Sequence, residues 1–238
     1  VSRGLGDVYK RQIKMKHSFF KPCVGKSYSK GIRGKRVTVI GASTYCDQYR
    51  CPYFNQCTDT KKKDSSVFDK ICPCYTEQSL LLSNEPKHNI ENRPIALKNF
   101  AQGVSMFIGS DDYDTIFDHL AFTEYVQFVV PGEGDKARGT HSSDLSERDF
   151  RAFIETMELL KPHIVIVWGC VINFRLKEQN EYRIQNNDLI DTDGYVCHLQ
   201  IPGIEHSIAL LNCYHPSSSA WNMDINNFEN YFNMLLTE

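Results

Sequence analysis

Apolar positions along the chain fall into two patterns, short unbroken runs and stretches with helical spacing, and the two alternate. Residues 37–40 are a run rich in β-branched side chains, preceded by Gly34-Lys35-Arg36 and stopped by Gly41, which predicts a buried parallel strand. Residues 122–130 (Phe-Thr-Glu-Tyr-Val-Gln-Phe-Val-Val) predict a second strand ending at Pro131-Gly132, and residues 164–168 a third, closed by Gly169. Two more are predicted over 195–201 and 207–214, separated by Pro202-Gly203. Helical spacing covers 111–120 and 224–236, the latter with Ile225, Phe228, Tyr231, Phe232 and Leu235 on one stripe. The clearest helix follows Ser146-Glu147-Arg148-Asp149, which has the spacing of a capping box. Phe150, Phe153, Ile154, Met157 and Leu160 then recur until Lys161-Pro162 ends the pattern.

Helix followed by buried strand, repeated, predicts one α/β domain with a mainly parallel sheet. Residues 46–95, rich in Cys, Pro, Lys and Asp with little periodicity, predict an irregular excursion on that domain. Residues 1–12 resemble non-native read-through and are set apart, which leaves residues 13–238 for a single domain.

The chain has 238 residues, 41% of them hydrophobic and 24% charged, enough to bury a core and too apolar for disorder. A formal charge of -2 supplies no global attraction to nucleic acid, so any DNA binding has to come from a local patch. Lys30, Arg33, Lys35 and Arg36 form one such run, and Lys61, Lys62 and Lys63 another. No apolar run has the roughly 18 residues of a membrane span, so no membrane partner is expected, and a cytoplasmic location is the default expectation. Nine cysteines, an odd set with Cys170, Cys197 and Cys213 in or beside apolar runs, suggest reduced thiols.

In α/β sheets, ligands bind beyond the carboxyl ends of the strands, which directs attention to residues 41–47, 124–132 and 214–219. His215-Pro216-Ser217-Ser218 follows a strand directly, where proline stiffens the turn and the serines, with Ser219, are suited to gripping a phosphate. Together with Gly41-Ala42-Ser43-Thr44-Tyr45 after the first strand, and Phe122-Thr123-Glu124-Tyr125-Val126-Gln127 between them, this turn resembles the uracil-DNA glycosylase superfamily over residues 17–238. The order of helix, Lys161-Pro162, strand and Gly169 is similar as well.

The resemblance implies a three-layer αβα sandwich around a sheet of four or five strands. It also implies a monomer that flips a nucleotide out of DNA and breaks the bond from C1' to the base, with no cofactor needed for catalysis. His215 matches the histidine that donates to a carbonyl of the departing base. Tyr45 matches the aromatic wall of the pocket, with Gly41, Ala42 and Thr44 beside it. Tyr125, Gln127, Pro216, Ser217 and Ser218 complete the candidate substrate contacts. The superfamily's water-activating Asp, Asn or Glu maps near Ala42 or Ser43, where this chain has no carboxylate; Glu124 and Asp47 are the remaining candidates for a general base. Glu124 stands where the superfamily has a base-reading Asn. An ionised carboxylate only accepts, which suits an amino-bearing base such as a cytosine derivative.

Cys46, Cys51, Cys57, Cys72 and Cys74 gather in the excursion. Four thiolates on a structural zinc would fasten a segment with little core of its own. The spacing lacks the usual Cys-x2-Cys, so zinc and no metal stand level, with an iron-sulfur cluster third. Three functions follow: a DNA base glycosylase acting on uracil or another altered pyrimidine; a nucleic-acid-binding module of the same fold without catalysis; and a thiol enzyme in which His215 serves Cys213 or Cys46.

Overall fold

The computed structural model describes residues 15–46, 94–131, 139–178, 182–184 and 194–238. Among the described residues nine strands run in chain order: β1 (Cys23–Val24), β2 (Val37–Gly41), β3 (Thr44–Cys46), β4 (Leu120–Glu124), β5 (Val129–Pro131), β6 (Ile164–Trp168), β7 (Arg183–Ile184), β8 (Val196–Leu199) and β9 (Ile208–Cys213). The helices are α1 (Ile95–Ile108), α2 (Tyr113–Asp118), α3 (Glu147–Leu160), α4 (Cys170–Glu178) and α5 (Ser219–Thr237).

A seven-stranded sheet has the order β1-β4-β2-β6-β9-β8-β7. Its four central strands are parallel, and β1, β8 and β7 add antiparallel edges. The expected four or five strands correspond to the longer members; β1 and β7, two residues each, extend the sheet beyond that number. β2, β4 and β6 are buried at every position, as unbroken apolar runs require when both faces of a parallel sheet are covered.

Alternate side chains divide between two cores. Val37, Val39, Phe122, Ile166 and Leu211 pack with Phe100 of α1, Phe117 of α2 and Phe228 of α5, whereas Ile40, Val165, Val167 and Leu210 pack with Phe153 and Met157 of α3 and Ile172 of α4. Phe100 is fully buried among Phe117, Trp168, Trp221 and Phe228, and an aromatic ring so enclosed contributes about 2–3 kcal/mol by burial alone. Gly103 lets α1 and α5 approach: a Cβ there would stand 2.9 Å from Trp221 Cζ2 and 3.0 Å from Ile225 Cδ1.

The start of α3 follows its sequence signal. Ser146 and Asp149 form the capping box, Asp149 Oδ2 accepting from the Ser146 backbone N–H at 2.7 Å, and Lys161 closes the helix in a left-handed conformation at φ 47°.

The single strand expected over 122–130 is a correction. It leaves the main sheet after Glu124, turns, and resumes as β5, which pairs in parallel with β3 in a separate two-stranded sheet. The turn is set by contacts far away in sequence. Gln127 Oε1 accepts from the backbone N–H groups of Phe19 (2.7 Å) and Phe20 (2.9 Å), Nε2 donates to the Glu124 carbonyl (2.7 Å), and the Gln127 N–H donates to Asp149 Oδ1 (2.7 Å).

Candidate functional site

The connections from β2 run to β4 on one side, while β6 and β9 lie on the other, so the carboxyl ends diverge between β2 and β6. Such a switch point is where open α/β sheets place their ligands. In register, Gly41 stands opposite Glu124 and Trp168 opposite Cys213. The period-two alternation places all four on the face covered by α1 and α5.

Gly41 is required by its neighbour. A Cβ at this position would lie 2.8 Å from Cδ and 2.9 Å from Oε1 of Glu124, so the carboxylate of β4 rests directly on the Gly41 backbone. Glu124 is buried, and when ionised its oxygens can only accept.

The His215 turn is tightly organised. Ser218 caps α5, accepting from the Trp221 N–H at 3.3 Å, and its backbone N–H and Oγ both donate to the His215 carbonyl, at 2.8 and 2.7 Å. Asn99 of α1 donates from Nδ2 to the Pro216 carbonyl at 2.7 Å, tying the turn to the neighbouring helix. Pro216 is buried and Ser217 exposed. Nδ1 of His215 lies 2.8 Å from Ser217 Oγ and accepts the Ser217 backbone N–H at 3.3 Å. A backbone N–H can only donate. Nδ1 therefore accepts, and the neutral ring carries its proton on Nε2 as a donor. Burial holds the His215 pKa below its ordinary value, which favours that neutral ring. The Trp168 indole meets it edge to face, ring centroids 5.6 Å apart. Trp168 is itself buried, and its Nε1–H has no hydrogen-bond partner among the described residues.

The first loop is held by a residue without a sequence signal. Thr140 Oγ1 lies 2.7 Å from Ser43 Oγ and 3.1 Å from the Tyr45 hydroxyl. Ser43 is thus engaged with another hydroxyl, and neither partner has the basicity to activate water. Ala42 and Tyr45 are half-buried against the core beneath α3 and α4, and Thr44 begins β3.

Two candidate contacts point elsewhere. Tyr125 is buried against Phe153, its pKa raised by burial, and belongs to the core. Gln127 has both ends of its amide bonded to backbone, so its work is to shape the turn. Cys213 is buried, and burial pushes its thiol well above the ordinary range; a nucleophilic Cys213 is corrected on that ground. The basic run also stands apart: Lys35 and Arg36 immediately precede β2 and lie at the opposite, amino edge of the sheet.

Asp47, Cys51, Cys57, Cys72 and Cys74 lie outside the described residues, and of Cys46 only its place at the end of β3 is described. Among the described residues no group of three or more His, Cys, Asp or Glu is placed to hold a metal ion. No helix among them is long and apolar enough to cross a membrane. A cavity of about 380 Å³ is lined by Ser142, Leu145, Val171, Phe174 and Arg175, and none of the described candidate residues is among these.

Asn99, Thr140 and Trp168 are the members sequence reasoning misses. Only Trp168 has a local signal, as the aromatic end of a buried strand before glycine. The fold and site together define an α/β protein with a mostly parallel sheet and a polar constellation at the carboxyl edge. No family model matches the chain, and no curated protein matches it.

Proposed function

We propose that the chain is a DNA base glycosylase of the uracil-DNA glycosylase superfamily, hydrolysing the N-glycosidic bond of a flipped, altered pyrimidine. Helices against both faces of the sheet support the three-layer αβα arrangement expected of it. The observation that carries the reading is His215: a neutral imidazole at the carboxyl edge, Nδ1 occupied by Ser217 and Nε2–H left to donate. Such a donor stabilises the negative charge that develops on a base carbonyl as the bond to C1' breaks. Glu124 reads an exocyclic amino group, Tyr45 walls the base, and Ser217 and Ser218 sit where the flipped nucleotide's phosphate passes. The zinc proposed for Cys46, Cys51, Cys57, Cys72 and Cys74 is structural, and metal analysis of the purified protein checks it.

A second reading is a binding module of the same fold without catalysis. The Ser43–Thr140 hydroxyl pair favours it, because it occupies the place of the water-activating group. One experiment separates the two: oligonucleotides with uracil, thymine mismatches or modified cytosines are incubated with protein, and abasic product is cleaved by alkali. Product that falls about 100-fold or more with His215→Ala supports the glycosylase. DNA binding with no product on any substrate supports the module.

A further inference from the structure

We propose that the amino edge of the sheet is a second, separate site that binds a phosphate group, built from Lys35, Arg36 and Lys161 around the stacked rings of His163 and His206. It lies one strand length, on the order of 15–20 Å, from the Gly41 end of β2. It does not rest on the glycosylase reading.

The cluster forms because residues ahead of β2, β6 and β9 meet at this edge. The Arg36 backbone N–H donates to His163 Nδ1 at 3.0 Å, so the neutral His163 ring carries its proton on Nε2. His206 stacks on it, centroids 4.4 Å apart and planes 18° from parallel, and its Nε2 donates to the Pro162 carbonyl at 2.8 Å. Arg36 Nε donates to the Lys161 carbonyl at 2.7 Å, which orients the guanidinium and leaves both terminal amino groups for a ligand. Lys161 is exposed and held in the left-handed conformation that ends α3.

The carbonyls at the end of α3 account for Arg36 Nε and His206 Nε2, since cations gather at a helix carboxyl terminus. Among the described residues they leave the Lys35 and Lys161 ammonium groups without a partner. Among the described residues no carboxylate pairs with Lys35, Arg36 or Lys161, although the chain as a whole carries a charge of -2. Glu205, next to His206, makes no ion pair with them. The His163 ring registers the cations beside it: burial first, then Arg36, His206 and Lys35, bring its pKa down to about 4. A cluster of like charge with an oriented guanidinium fork and the Nε2–H of His163 as an imidazole donor is matched by a phosphate, which accepts from all of them.

The test is a titration of the full chain followed by imidazole NMR. Inorganic phosphate is added against sodium chloride at equal ionic strength, and a ten-thymine single strand in a parallel series. Saturable shifts at His163 and His206, weakened about tenfold or more in both Lys161→Gln and Lys35→Gln and retained in His215→Ala, support the site. If the oligonucleotide saturates at lower concentration, the source is a nucleic-acid backbone; if only phosphate saturates, it is a free phosphate. Shifts that chloride reproduces, or that survive both lysine variants unchanged, overturn the proposal.

Discussion

The state of His215 is decided by three neighbours at once. The Ser217 N–H fixes the tautomer, the Trp168 ring buries one flank, and Asn99 holds the following carbonyl. Because burial lowers its pKa, the ring stays neutral as pH falls below the ordinary 6.5 and protonates only further down. If the neutral donor is required, the acid limb of kcat/KM lies below pH 6.5 and is absent from the residual rate of His215→Ala; a pH–rate profile of both proteins checks this. Gly41 carries a second expectation. Gly41→Ala pushes a methyl into the Glu124 carboxylate and should cost about 1–3 kcal/mol in denaturant unfolding. In the Glu124→Ala background the same change should cost less than 1 kcal/mol, a coupling that a double-mutant cycle measures.

At the scale of elements, what is legible in sequence is what is decided locally. The capping box of α3 and the unbroken runs of β2 and β6 appear where the pattern places them, because their signals lie within a few residues. Helix α1 also has a local signal, Leu97, Phe100, Ala101, Val104 and Phe107 at helical spacing ahead of the left-handed Gly109, though the stretch is interrupted by Gly103 and has exposed apolar residues at Ile95 and Met106. The break between β4 and β5, in contrast, is invisible in an apolar stretch, since Gln127 turns the chain by reaching residues 19, 20 and 149. Gln127→Ala strands two buried backbone donors, at about 1–3 kcal/mol each, so a loss of about 3 kcal/mol is expected. Limited proteolysis should show cleavage near residues 15–22 rising with it. Unchanged unfolding and cleavage would mean the turn is held by Asp149 alone.

For the whole molecule, the sheet separates two kinds of imidazole, and pH acts on them at opposite ends. The order of strands and charges makes part of this legible: cations written just ahead of a parallel strand belong to its amino edge, away from the ligand edge. What the sequence cannot convey is that His163 and His206, from two different loops, stack beside them. His163 takes a proton near 6.5 when unfolded but only at about 4 when folded. Between these values the unfolded chain holds more protons, so stability falls as pH falls through that window and is fully present above it. Discounted for the ring's partial exposure, the loss is on the order of 1 kcal/mol, or about 2–4 °C in Tm. His163→Asn keeps an acceptor for the Arg36 N–H and removes the titration. Thermal melts in chloride buffers from pH 7.5 to 4.5 should therefore fall less steeply for the variant than for the parent. Parallel curves would assign the acid sensitivity to other groups, while a variant that is less stable at every pH would show that the hydrogen bond, rather than the charge, is what His163 contributes.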